Sequence, residues 1–292
     1  MLPLVMHFPL QRPRPGRLPL GGGSFASEPG RANRTAPSLH GSTPGRAAGH
    51  AGNRILVWDA PTRILHAAIA GTVTLALVIG LAADDDGTLF ALHMIAGLAA
   101  GCFIVLRIAW GVLGSRYSRL GSWPLAPGEL ARYLTGIMTG RAKRYVGHNP
   151  GTSWMSLMLF LMVGLLIVTG LAGEAGEEVH EVAAYGVLAL IVLHLLGLAL
   201  HTWRHRENIA WSMIDGRKSG PPESALPSSR LVAGVAVAAL VVVASWLLYR
   251  GFDAGSGQLR LPFRDAPLQL GEAGGDDKSS SHHDEGRGEH RD

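Results

Sequence analysis

The chain has a single cysteine, Cys102, which excludes an internal disulfide; the residue lies in an apolar run and reads as a small packing side chain. Charge is also scarce, at 16% Asp, Glu, Lys and Arg. It lies almost wholly outside five stretches, Ile64–Ala83, Leu89–Val112, Trp154–Leu171, Val179–His201 and Leu231–Tyr249. A soluble helical bundle would carry a charged stripe on every helix, so the missing stripes exclude that class. Each stretch is about 18 to 24 residues long, and about 20 residues cross the hydrocarbon of a bilayer; five membrane spans are expected. No Asp or Glu falls centrally in the first four spans, which removes the carboxylates of an intramembrane ion relay. The net charge of +4 is too small to suggest a nucleic-acid partner.

The charges lie between the runs, and their signs alternate. Arg107, Arg116, Arg119, Arg132, Arg141, Lys143 and Arg144 mark the second-to-third connection, and Arg204, Arg206, Arg217 and Lys218 follow the fourth span. The other two connections are acidic, with Asp84, Asp85 and Asp86 in one and Glu174, Glu177 and Glu178 in the other. The positive-inside rule then sets the amino terminus in the cytoplasm and, after five spans, the carboxyl tail outside. Lipid is the expected surrounding partner, with Trp58, Trp110, Trp154 and Trp203 as interfacial belt residues.

Residues 1–53 are rich in Pro, Gly, Arg and Ser and are expected to be disordered. Leu2–Leu10 lacks a basic leader and a small-residue cleavage site, so no signal peptide is expected. Residues 54–218 hold four spans, with an interfacial helix expected over Gly128–Thr139 between the second and third. Residues 219–230 read as a Pro/Ser linker, 231–249 as an appended fifth helix without histidine, and 250–292 as a disordered polar tail carrying His282, His283 and His290. No internal repeat is evident. The fold class is an all-α membrane protein, a four-helix bundle plus one further carboxyl-terminal span.

Four histidines stand inside the apolar runs: His66, His93, His180 and His194. A single intramembrane histidine is often a helix–helix hydrogen-bond partner, but these four sort by depth. His180 and His194 are 14 residues apart on one helix, about 40° around its axis and ~21 Å along it. With the topology above, His66 and His194 lie toward the inner face, and His93 and His180 toward the outer face. Two imidazoles at one depth suit the two axial positions of a low-spin haem iron, a centre for electron transfer rather than oxygen chemistry. No Cys-x-x-Cys-His is present, so such haems would be non-covalent, b-type groups. His201, seven residues beyond His194, is an alternative partner for His66. Arg63, Arg107 and Arg204 stand at the inner ends of spans, where they either meet haem propionates or anchor lipid headgroups. Gly71, Gly80, Gly97, Gly101, Gly186 and Gly197 either make room for the cofactor or allow close helix packing. His148 falls in the basic loop and reads as solvated.

The stretch Val57-Trp58-Asp59-Ala60-Pro61-Thr62-Arg63-Ile64-Leu65-His66 resembles the start of the bacterial cytochrome b561 and nickel–iron hydrogenase b-type cytochrome family. So do Leu92-His93 followed by Gly97, the loop Arg144-Tyr145-Val146-Gly147-His148-Asn149-Pro150-Gly151, and His180, His194 and His201 running into Trp203-Arg204-His205-Arg206-Glu207-Asn208. The resemblance covers about residues 54–218. It implies a di-haem four-helix core with two haem b groups, held inside by His66 and His194 and outside by His93 and His180. It also implies electron transfer between membrane quinone, exchanged near His66, His194 and His201, and a periplasmic partner. That partner would be a hydrogenase subunit or a c-type, sometimes di-haem, cytochrome; the chain would act as an electron-transfer protein or as one subunit of a membrane oxidoreductase. A histidine-lined ion or metal transporter and a redox-inert membrane anchor are the competing readings.

Overall fold

The computed structural model describes residues 53–82, 88–141, 143–253, 256–262 and 265–269. Of the residues 1–53 expected to be disordered, 1–52 lie outside the described residues, as do the acidic residues Asp84, Asp85 and Asp86 and the histidines His282, His283 and His290. Five long helices carry the apolar runs: α1 (Ala60–Ala82), α2 (Thr88–Leu113), α4 (Pro150–Leu171), α5 (Glu177–His205) and α7 (Leu231–Gly251). Each is long and apolar enough to cross a membrane. A short α3 (Pro127–Thr139) lies between the second and third of them, and α6 (Ser212–Asp215) follows the fourth.

Helices α1 and α4 begin earlier than their apolar runs because polar caps nucleate them. Asp59 Oδ1 accepts the backbone N–H of Thr62 (3.0 Å) at the start of α1. Asn149 and Thr152 form a reciprocal capping box at the start of α4, with Pro150 in its first turn. Both patterns satisfy amide donors that a helix leaves open at its start. Pro127 opens α3, and Gly140, at φ +77°, closes it.

The helices pack in sequence, α1 against α2, α2 against α4, and α4 against α5. Helix α5 packs chiefly on α4, and its buried Val187 joins Ala100 and Ile104 of α2 and Val163 of α4 in one cluster. Helix α7 is not an appendage. It runs alongside α1 and also touches α2, and a Cβ on Gly234 would come within 2.7 Å of the Ala60 Cβ, so only glycine permits that approach. Leu248 of α7 shares a buried cluster with Ala99 and Phe103 of α2.

Two small sheets close the ends. At the basic end β1 (Arg54–Leu56) pairs antiparallel with β2 (Arg217–Ser219), Ile55 opposite Lys218. The segment expected as a linker is fastened there: Leu226 is buried, its N–H bonds Leu56 O (2.8 Å), and the Ala60 N–H bonds Ser229 O (2.8 Å). Within the described part of the tail expected as disordered over 250–292, β3 (Phe252–Asp253), β4 (Gln258–Leu259) and β5 (Leu268–Gln269) form an antiparallel sheet instead. Leu259 is fully buried beneath it, and Gly257, at φ +64°, turns the chain between β3 and β4.

Candidate haem site

His93 and His180 stand near the starts of α2 and α5, at the same end of the bundle. Their ring centroids are 6.0 Å apart and their planes are inclined by 67°. Each ring is held through Nδ1 by a backbone carbonyl of the preceding helix. His93 Nδ1 donates to Ala76 O of α1 (2.8 Å), and His180 Nδ1 to Leu166 O of α4 (3.0 Å), with Thr169 Oγ1 at 3.2 Å. A carbonyl only accepts, so the proton sits on Nδ1 and the lone pair on Nε2. Nε2 of neither ring has a hydrogen-bond partner among the described residues. This is the second-shell arrangement that metal-bound histidines use.

The spacing fits one metal between the rings. At a metal–nitrogen distance near 2.0–2.1 Å, two imidazoles facing each other across a metal have centroids roughly 6.3 Å apart. Among the described residues no group of three or more His, Cys, Asp or Glu gathers within metal-holding reach. The pair therefore offers two nitrogen donors and would suit a metal whose other ligands come with it. A cavity of about 70 Å³, walled by α1, α2, α4 and α5, lies against both rings, smaller than a preformed cofactor pocket of about 300–1,000 Å³. Apart from the two histidines its walls are apolar, and Gly97 of α2 lines it. A Cβ at Gly71, Gly97 or Gly197 would meet nothing within 4 Å, whereas one at Gly101 would meet Ile167 and one at Gly186 would meet Met162. The six glycines thus divide: three face open space, Gly101 and Gly186 allow close packing, and Gly80 lies against His93.

At the opposite, basic end His66 of α1 is exposed and His194 of α5 half-buried, within electrostatic reach of each other and of Arg107. His201, further along α5, is half-buried. The three arginines expected near this end each meet a backbone carbonyl. Arg63 Nη1 donates to Ile214 O, Arg107 Nη1 to Ser118 O (3.1 Å), and Arg204 Nη1 to Ile137 O near the end of α3 (3.2 Å). Arg107 alone is buried and stands near the histidine pair.

Reading His148 as solvated is corrected. Its ring lies 4.9 Å from Trp58 and 5.2 Å from Trp123, with Nδ1 shielded from solvent. Trp58 is likewise buried, its Nε1 donating to Ser212 Oγ (3.1 Å), while half-buried Trp110 donates Nε1 to Asp59 (3.2 Å). Trp203, 80% exposed, does fit a belt. Lys218 crosses this layer, donating to Val146 O (2.8 Å), and Glu207 bonds Arg144 (2.8 Å). Sequence reasoning missed the layer because its residues come from four separate loops and helix ends.

Burial, then the Arg107 and Lys218 charges, push the His148 imidazole down to about 3 against a Tyr117 hydrogen bond that raises it. A histidine neutral in the folded state and titrating at 6.5 when unfolded contributes stability above pH 6.5 that is lost as pH falls toward 3. The expected slope approaches about 1.4 kcal/mol per pH unit within that window. Thermal unfolding in detergent from pH 7.5 to 5 should show a smaller fall in Tm for His148→Phe than for the unaltered chain. Equal falls would show that His148 is protonated in the folded state.

The comparisons agree with this geometry. Residues 57–216 match the family model described as prokaryotic cytochrome b561. A curated relative, "Probable Ni/Fe-hydrogenase B-type cytochrome subunit" of Rhizobium leguminosarum bv. viciae, is 25% identical over 213 aligned positions, with 56% of this chain and 88% of the relative covered. No solved structure matches the chain. With five apolar helices and paired imidazoles at one end, this chain belongs to the prokaryotic cytochrome b561 family, and is a multi-pass membrane cytochrome that binds haem b for electron transfer.

Proposed function

We propose that the chain carries two haem b groups and conducts electrons across the bacterial inner membrane, between a quinone on the cytoplasmic side and a periplasmic redox partner. The observation that carries the reading is the His93–His180 pair, 6.0 Å apart, with both Nδ1 protons committed to helix carbonyls. His93 and His180 would hold the periplasmic haem. His66 and His194 would hold the cytoplasmic haem, and the closeness of His194 to His66 supports it over His201. His201, nearer the cytoplasmic end of α5, borders the quinone site.

Haem, when bound, supplies one-electron exchange between ferric and ferrous iron. The protein's part is to bind, orient and insulate. A haem held by two imidazoles would suit electron transfer rather than oxygen chemistry. The carbonyls of Ala76 and Leu166 hold the outer pair in the tautomer that presents Nε2. The apolar walls of the cavity keep water out. The Arg107 cation beside the inner pair favours an added electron there. Spaced ~21 Å along α5, the two histidine levels span most of the bilayer's ~30 Å hydrocarbon core. The periplasmic partner is a hydrogenase subunit, as the relative's name supports, or a c-type cytochrome. The amino terminus is cytoplasmic and the carboxyl terminus periplasmic. The basic β1–β2 end, with Arg54, Arg217 and Lys218, supports that orientation.

A reduced-minus-oxidised spectrum with a pyridine haemochrome count on the purified protein tests this. The expected result is about two low-spin b haems per chain. One haem removes a histidine pair from the scheme, and none in a folded preparation overturns it.

A further inference from the structure

We infer that Gly80 and Gly170 are positioning residues for the outer histidines: each uncovers the helix carbonyl that fixes an imidazole. The inference rests on the ligand roles proposed above for His93 and His180. His93 bonds the carbonyl of Ala76, four residues before Gly80, and His180 bonds that of Leu166, four residues before Gly170. In a helix every Cα–Cβ bond tilts toward the amino terminus, so a side chain covers the turn before its own Cα. Residue i+4 therefore stands over the carbonyl of residue i. That carbonyl already accepts the i+4 amide but keeps a second lone pair. Where residue i+4 is glycine, a donor from a neighbouring helix can reach it.

The distances show how little room there is. A Cβ at Gly80 would lie 2.9 Å from His93 Cε1 and 3.0 Å from Nδ1, and one at Gly170 3.2 and 3.3 Å from the same atoms of His180. Gly71, Gly97, Gly164 and Gly197, in the same four helices, meet nothing within 4 Å, so contact with an imidazole is particular to Gly80 and Gly170. The device occurs twice, once in the α1–α2 hairpin and once in α4–α5, although the two hairpins share no evident sequence repeat. Glycine is unfavourable inside a helix, so its presence one turn after each acceptor carbonyl has a purpose. Hydrogen bonding at Nδ1 sets the tautomer and makes Nε2 a stronger donor to a metal, which favours the oxidised centre and lowers its potential.

The test uses Gly80→Ala, Gly170→Ala and His93→Ala in the full chain, purified in detergent. Haem is counted, and each centre is followed by redox titration and low-temperature EPR, with the inner centre as an internal reporter of folding. Gly80→Ala, the tighter clash, should lose half or more of the outer haem or turn it high-spin while the inner signal stays unchanged. Gly170→Ala, the milder clash, should keep both haems, with the outer low-spin signal displaced and its midpoint potential raised. If both alanine variants keep unaltered signals and potentials while His93→Ala loses one haem, the positioning role is overturned and the ligand assignment stands. If His93→Ala keeps both haems, the ligand assignment fails and this inference with it.

Discussion

Alanine at His180 is expected to halve the haem content of the purified protein, from about two per chain to about one, and to remove the outer low-spin signal. The substitution takes away one of the two imidazoles that stand 6.0 Å apart and frees the Leu166 carbonyl that held it. The remaining His93, still tied to Ala76 O, offers a single axial bond. One axial bond leaves iron five-coordinate or open to water, and that form is high-spin and more easily lost. The inner pair, ~21 Å away along α5, should titrate as before. His194→Ala should give the converse result, losing the inner centre and keeping the outer one, whereas His201→Ala should retain both. Haem counts, EPR and redox titration on the three variants separate these outcomes. Two unaltered haems in His180→Ala would remove His180 from the ligand set. Loss of the inner centre in His201→Ala, with its retention in His194→Ala, would reassign the inner ligand.

The spans were legible because lipid imposes a length and an absence of charge that few other constraints imitate. Their starts were not, since α1 and α4 begin at caps, Asp59 and Asn149, in polar text before the apolar run. The meeting of His93 with His180 followed from depth alone, because each stands near the start of a helix entering from the same side. What depth cannot give is rotation about the helix axis, so the acceptor carbonyls and the two glycines against the imidazoles became visible only with the helices packed. The His148 layer was hidden for another reason. In a basic loop a histidine reads as solvated, and nothing local announces that Trp58 and Trp123 flank it. The sheet after α7 left a faint trace, Leu259 and Leu261 alternating with polar residues after Gly257, in a segment whose composition otherwise reads as a polar tail.

Asp59→Ala should be the most destabilising single change at the basic end, by about 2.5–4 kcal/mol, a lost cap at about 1 kcal/mol together with a buried hydrogen bond to a charged group at about 1.5–3 kcal/mol. Asp59 has no solvent exposure and does three things at once. Oδ1 caps α1 through the Thr62 amide (3.0 Å), a bond whose loss alone costs about 1 kcal/mol. Both carboxylate oxygens accept the Trp110 indole N–H, each at 3.2 Å. Its charge also acts on buried Arg107, which otherwise has the Ser118 carbonyl (3.1 Å) and the Trp123 face 5.7 Å away. Asparagine is a good helix cap and retains an acceptor for Trp110, but it removes the charge facing Arg107. Asp59→Asn should therefore recover the cap's share and leave the electrostatic share lost. His66 stands seven residues beyond Asp59, two helical turns along nearly the same face, so fraying of the first turn of α1 reaches an inner axial ligand. Thermal unfolding in detergent, followed by the Soret band, should show Asp59→Ala losing the inner haem's absorbance first, with Asp59→Asn between it and the unaltered chain. A change within about 0.5 kcal/mol for the alanine variant, the scale of an ordinary surface substitution, would mean that Arg107 and Trp110 find other partners when the carboxylate is gone.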